Sequence, residues 1–121
     1  MSYFETRARS VLLRVAAGKT LTEISEEKRQ PRLSTLRTWI LDRPTFVAAY
    51  LKARRVAVED MAAEVVALAD QLAPGATPAE VSRQKLRIEA RKWAIARMEA
   101  ENAELADQTP AAPAATPPMY V

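Results

Sequence analysis

Hydrophobic residues recur every three or four positions along most of the chain, which is the period of an α-helix. The first such stretch covers residues 5–17, where a single apolar stripe predicts an amphipathic helix. Its members are Val11, Leu12, Val15 and Ala16. Gly18 follows at the position where helices commonly end, so we expect a turn there.

Two short helices joined by a turn are predicted next. Thr20 and Glu23 have the spacing of a capping box at the start of a short helix. Pro31 then keeps the segment KRQPRL out of helix. Ser34 or Leu33 opens the following helix, and Ser34 is the better N-cap. The apolar residues of that helix should face the core; they are Leu36, Trp39 and Ile40.

The rear of the chain predicts a helical hairpin. Apolar positions advance without a break from Thr45 to about Leu72, enough for one helix roughly 40 Å long. A helix kinked near residues 54–56 is the alternative. The segment PGATP interrupts the pattern, and a second long helix is expected over residues 79–105. A short link makes two such helices antiparallel neighbours.

Composition supports an all-α fold and argues against catalysis. Only two glycines are present, β-branched runs are scarce, and the abundant alanine favours close helix packing over a thick aromatic core. The chain lacks both cysteine and histidine, which excludes thiolate and imidazole chemistry. The triplet at 18–20 reads GKT, but Leu13 stands where a phosphate-binding loop needs glycine. We therefore expect no enzyme, no cofactor, no metal and no membrane span.

Charge is distributed unevenly between the two halves. Residues 1–55 carry twelve Lys/Arg and five Asp/Glu, a net of +7, whereas residues 56–121 carry six and ten, a net of −4. A basic front half joined to an acidic rear half predicts a polyanionic partner at one end only.

The front half fits a helix-turn-helix that binds double-stranded DNA. The last helix is anchored by its apolar face, which leaves the other face available for the major groove. Basic residues of the turn would lie near phosphates, and polar residues of the helix could reach base edges. The predicted DNA-binding residues are Lys28, Arg29, Arg32, Ser34, Thr35, Arg37, Thr38 and Arg43. The alternative is a plain three-helix bundle whose arginines are solvated.

The hairpin has more apolar stripes than two helices can bury against each other, which predicts self-association. The predicted oligomer interface consists of Met61, Val65, Leu68, Leu72, Leu86, Ile88, Trp93 and Ile95. The alternative is that the hairpin folds back on the N-terminal domain.

Two blocks of sequence resemble the small terminase subunits of tailed bacteriophages. One is RLSTLRTWILDRPTFVAAYLKARRVAVEDMAAEVVALAD, and the other is RQKLRIEARKWAIARM. The resemblance covers about residues 20–98, and the second block is the more specific. The chain departs from many relatives after the KW of that block, where EAENAELADQ and a proline-rich tail replace a basic stretch or a small β domain.

The resemblance implies a DNA-packaging protein of an infected bacterium, acting in the host cytoplasm. Such proteins form a ring, of roughly 8–11 subunits, that recognises viral DNA and delivers it to the large subunit, an ATPase and nuclease. Arg37 and Thr38 would lie on the DNA-reading helix, and Leu68, Trp93 and Ile95 in the central helices. The replaced C-terminal segment leaves open which part of the chain contacts the large subunit.

These observations predict three segments. They are a helix-turn-helix domain at residues 1–55, an oligomerising hairpin at 56–107 and a disordered Pro/Ala-rich tail at 108–121. Two rival functions use the same segments. A dimeric helix-turn-helix transcriptional regulator would have two subunits and a palindromic site, and a helical scaffold would not bind DNA.

Overall fold

α-Helices account for all the regular structure within residues 3–108, the range that the computed structural model describes. They are α1 (Tyr3–Ala16), α2 (Leu21–Ser25), α3 (Leu33–Asp42), α4 (Pro44–Asp70) and α5 (Pro78–Gln108). The predicted all-α class is therefore confirmed. The predicted tail lies outside the described residues except for Gln108, which is the last residue of α5.

The helix ends follow local signals in the sequence. Gly18 has a φ of +97°, a left-handed conformation that glycine adopts without strain, and its amide donates to the Val15 carbonyl. The capping box is present: the Glu23 amide donates to Thr20 Oγ1 at 3.1 Å, and the Thr20 amide donates to Glu23 Oε1 at 2.9 Å. Pro44 is the first residue of α4.

The predicted N-cap of α3 is wrong. Arg32, not Ser34, is the N-cap residue, and no side chain caps this helix end. Pro31 allows an extended backbone at Arg32 (φ −68°, ψ 155°), so the first helical bond runs from the Leu36 amide to the Arg32 carbonyl. Ser34 consequently lies within the first turn, and its side chain is exposed.

The N-terminal module, which we define as α1, α2, α3 and α4 up to Ala57, contains the core. Val11, Ile24 and Leu36 are fully buried at its centre, and burial of each such side chain stabilises the fold by roughly 1.5–3 kcal/mol. Around them, rings pack edge to face or stacked, with centroids 4.8, 5.3 and 6.1 Å apart along the row Phe4, Trp39, Phe46 and Tyr50. This part of the core is more aromatic than the composition suggested.

Helix α4 connects the module to the hairpin without a break. Its first half buries residues from Phe46 to Ala57 in the core, and its second half pairs with α5. Within residues 58–101 no residue is buried, although one stripe on each helix is half-buried at the α4–α5 contact. The hairpin therefore has a contact seam but no core of its own.

Arg54 joins the module to the last turns of α5. Its guanidinium donates to Tyr50 Oη at 2.9 Å, to Asn102 Oδ1 at 2.6 Å and to Glu101 Oε1 at 3.0 Å. Asn102 is 6% exposed, and Leu105, one turn further on, packs against the core of the module. The far end of α5 is thereby attached to the module.

We expect Arg54→Ala to lower the free energy of unfolding by about 2 kcal/mol, because the buried Asn102 amide loses its partner. Arg55→Ala is the matched control, since Arg55 is the exposed neighbour on the same helix. Urea unfolding of both variants at one protein concentration provides the measurement. Equal losses in the two variants would contradict the role assigned to Arg54.

Candidate nucleic-acid interface

The third helix is held by its apolar face and presents a polar one. Leu36 is fully buried, and Trp39 and Ile40 pack against the same core, as predicted. Ser34 and Thr38 are exposed on the opposite side. The Thr38 hydroxyl donates to the Ser34 carbonyl at 2.9 Å, which leaves its oxygen as an acceptor facing solvent.

The turn before α3 is fixed to α1 and to the loop that follows α1 by ionic and polar contacts. Glu27 is the centre of these contacts: it accepts from Arg14 Nε at 2.9 Å and from Lys19 Nζ at 2.8 Å. Gln30 Nε2 donates to Ser10 Oγ at 3.3 Å. These contacts set the position of α3 relative to α1.

Arg29 stands at the sharpest point of this turn. Its φ is +67°, an uncommon value for a residue other than glycine, and its carbonyl accepts a hydrogen bond from Arg7 Nη1. The Lys28 and Arg29 side chains are exposed there. The turn therefore presents two cations beside the N-terminus of α3, where backbone amides already favour anions.

All eight predicted DNA-binding residues are exposed, but they do not form one continuous surface. Arg32 and Thr35 share a shallow groove with Arg7, Gln30 and Trp39. Lys28 and Arg29 lie in the turn next to it, and Ser34 and Thr38 follow along the exposed side of α3.

Two arginines diverge from this cluster. Arg37 lies on the other flank of α3 and lines a groove between the N-terminal module and the hairpin, together with Lys19, Arg54 and Arg97. Arg43 lies beyond the end of α3, with its guanidinium 3.7 Å from the centroid of the Phe4 ring. Any DNA contact by Arg37 would be at one side of α3, and any contact by Arg43 would be beyond its C-terminal end.

Sequence reasoning missed Arg7 and Leu41. Arg7, Ser10 and Arg14 share one face of α1, and all three contact the turn at residues 27–30. Their spacing of three and four residues was a visible signal. Leu41 is 82% exposed near the end of α3, an apolar side chain one turn after Thr38 on the exposed side of the helix.

A family comparison bears on this arrangement. The model of the family described as "Bacteriophage Sf6, terminase small subunit-like" matches residues 3–104. The chain belongs to this family. The match includes the module, the turn and nearly all of the hairpin, so the resemblance seen in two sequence blocks extends over the described fold.

Solved structures of a small terminase subunit are similar to this family member over most of its length. Three are crystal structures of gp1 of the bacterial virus Sf6, carrying a Lys-to-Glu, an Arg-to-Ala or an Asp-to-Arg mutation. Each is 28% identical and covers 83% of this chain, with TM-scores of 0.61, 0.59 and 0.61. The alignments cover 80%, 75% and 80% of those chains. The comparison with curated proteins yields no significant match.

Within residues 3–108, the terminase-like chain has no cluster of three or more acidic side chains arranged to hold a metal ion. None of the helices in that range is both long and apolar enough to cross a bilayer.

The eight predicted interface residues all lie on α4, α5 or the link between them. Five are half-buried along the α4–α5 contact: Met61, Val65, Leu68, Ile88 and Ile95. The other three are exposed, namely Leu72 at 38%, Leu86 at 71% and Trp93 at 63%. The first group contributes to the hairpin itself, and only the second group has surface available for another subunit.

Electrostatics favour the charged form of Glu27. Hydrogen bonds from Lys19 and then from Arg14 hold the pKa of the Glu27 carboxyl below its ordinary value of 4.5. Because the folded-state pKa is lower than the unfolded-state pKa, this group stabilises the fold above the unfolded value. The contribution is lost as the pH falls through the folded-state pKa.

We expect Glu27→Gln to reduce stability at pH 7. The difference from the wild type should begin to shrink below about pH 4.5, where the unfolded chain starts to bind the proton, and should vanish as the pH falls through the lower folded-state pKa. Glu26→Gln is the control, because the Glu26 carboxylate takes part in none of the ion pairs found among residues 3–108. Thermal unfolding at pH 7 and pH 3.5 measures both. A difference that persists unchanged at pH 3.5 would contradict the ionic role.

Proposed function

We propose that this terminase small subunit-like protein assembles into a homo-oligomeric ring, binds double-stranded viral DNA through its N-terminal modules and delivers that DNA to the large terminase subunit. It performs no catalysis and needs no cofactor in this role. The observation that carries the proposal is the division of burial between a module with a core and a hairpin without one.

The exposed cations around α3 support DNA binding. Lys28, Arg29 and Arg32 surround the uncapped start of the helix, where orphan amides and positive charge coincide. Ser34 and Thr38 follow on the side of the helix away from the core. A phosphate would be held at the turn, and the hydroxyls would face base edges.

The hairpin supports assembly. Residues 58–101 contain no buried residue, yet they include exposed apolar side chains at Val66, Leu86 and Trp93. Apolar surface of this kind is favourably removed from water by a second copy of the same hairpin. A second copy is available in any solution of the protein.

Assembly also strengthens DNA binding by the N-terminal module, which is small. One α3 helix of ten residues has room for few phosphate contacts. Several copies on one scaffold raise the effective concentration of each module after the first has bound. A ring therefore gives tight binding although each module binds weakly.

Substitution of turn and helix cations should weaken DNA binding. We expect Arg32→Ala to lower the affinity for duplex DNA about tenfold, the equivalent of about 1.4 kcal/mol. The slope of log affinity against log salt should fall by about one for each phosphate that the variant no longer neutralises. Lys85→Ala, an exposed cation of α5 distant from α3, serves as the matched control. Fluorescence anisotropy across a salt series measures both quantities.

An unchanged salt slope in the Arg32→Ala variant would show that Arg32 does not contact a phosphate in the complex. Equal losses of affinity in the Lys85→Ala variant would show that binding depends on overall charge rather than on the helix-turn-helix.

The native mass of the assembly distinguishes the ring from its rival. We expect native mass spectrometry at micromolar concentration to give a multiple of 13.4 kDa with more than two copies. A dimer would instead support the transcriptional regulator, and a monomer would contradict assembly altogether.

A further inference from the structure

Two exposed apolar stripes on the hairpin are not covered by another helix within residues 3–108, although the Arg97 guanidinium lies 5.4 Å from the centroid of the Trp93 ring and Trp93 also lines the groove beside the module. The α5 stripe consists of Leu86, Ala90 and Trp93, with Leu86 71% and Trp93 63% exposed. The α4 stripe consists of Ala62, Val66 and Ala69, with Val66 61% exposed. One stripe is dominated by large side chains and the other by small ones, so their shapes are complementary.

The two stripes point in different directions. At about 100° per residue, the α5 stripe lies roughly 150° around its helix from the residues that face α4, and the α4 stripe lies roughly 90° around its helix from the residues that face α5. The rotation is clockwise on α4 and anticlockwise on α5 when each helix is viewed from its N-terminus. Because the helices are antiparallel, these offsets place the stripes on different sides of the hairpin, with outward directions more than about 100° apart. One subunit therefore cannot bring its own two stripes together.

The contacts inside the hairpin define which residues lie at the same height. Arg54 meets Glu101 and Asn102, Glu64 meets Arg91, and the Leu68 carbonyl meets Gln84. The residue numbers of these partners add up to between 152 and 156. Any two positions on α4 and α5 whose numbers have such a total are level with each other.

In a ring whose axis is parallel to the hairpin, the rotation between subunits preserves height, so neighbouring subunits meet in this same register. Trp93 is then level with Ala62, Ala90 with Val66, and Leu86 with Ala69. Each large side chain faces a small one along the whole length of the stripes.

Charges at both ends of the stripes agree with this register. Arg97 is level with Glu59 and Arg83 is level with Asp70, and all four side chains are exposed. Arg97 already contacts its own Glu101 at 3.4 Å, so Glu59 of a neighbour would add a second carboxylate. The two arginines belong to α5, one at each end of the α5 stripe, and the two carboxylates belong to α4, one at each end of the α4 stripe.

We propose that the α5 stripe of one subunit packs against the α4 stripe of the next, with ion pairs Arg97–Glu59 and Arg83–Asp70 across the contact. This inference rests on the proposed assembly and assigns its surfaces. The contact joins two different edges, so it propagates from subunit to subunit, and it closes as a ring where the rotation between subunits divides a full turn. A two-fold dimer would instead join one edge to itself.

Disulfide cross-linking tests the assignment, since the native chain contains no cysteine. In the double variant Ala90→Cys/Val66→Cys, level positions on different edges come within disulfide reach only across the subunit contact. Mild oxidation should give a ladder of covalent multimers on a non-reducing denaturing gel. Each single variant should stay monomeric on the same gel.

A register control keeps the same edge and changes the height. Ala48→Cys is exposed on the α4 edge but lies eighteen residues from Val66, a distance of about 27 Å along the helix. Combined with Ala90→Cys, it should give no ladder. Dimers from a single variant, or a ladder from the mismatched pair, would overturn the proposal.

Charge reversal provides a second measurement that does not depend on cysteine. Arg97→Glu and Glu59→Arg should each raise the concentration at which the assembly dissociates, by about two- to fivefold per contact. The double reversal should restore it. Failure of this rescue, with an intact wild-type assembly and no ladder from the matched pair, would reject the proposed surfaces but not the ring. A wild-type monomer would reject the proposed function itself.

Discussion

Two helices can bury only the stripe along which they touch, and this limit determines how the chain is organised. The N-terminal module escapes it because four helical segments surround Val11, Ile24 and Leu36. The hairpin is subject to this limit, and every residue from 58 to 101 remains at least partly exposed to solvent. Stability is therefore concentrated in the module, and the hairpin is left with apolar edges on both sides. The same limit explains why a single stripe of half-buried residues links α4 to α5.

Much of the secondary structure was predictable because it depends on local signals. Apolar spacing identified every helix, and Gly18, the Thr20–Glu23 capping box and Pro44 marked three of the helix ends. The N-cap of α3 was mistaken because the effect of Pro31 on the backbone outweighed the capping preference of Ser34. Local propensities decide such ends only where no stronger constraint acts nearby.

Contacts between distant parts of the chain left no comparable signal. The Arg54–Asn102 bond joins residues 48 positions apart, and no periodicity reveals that this arginine is held within the fold. The groove that Arg32 shares with Arg7 likewise depends on how α1 crosses the turn. Residue type and spacing indicated a basic reading helix, but only the packing separates Arg37 from Arg32 and assigns them to different flanks of α3.

The continuity of α4 has a mechanical consequence. A single helix runs from Pro44, directly after α3, to Asp70 near the tip of the hairpin. An uninterrupted helix resists bending, and the Arg54 contacts brace it near its middle. Helix α3 and the hairpin are thus joined through one rigid helix. Under the proposed function, a tilt imposed on α3 by curved DNA would be transmitted as a tilt of the hairpin, which would link the shape of the duplex mechanically to the spacing of neighbouring subunits.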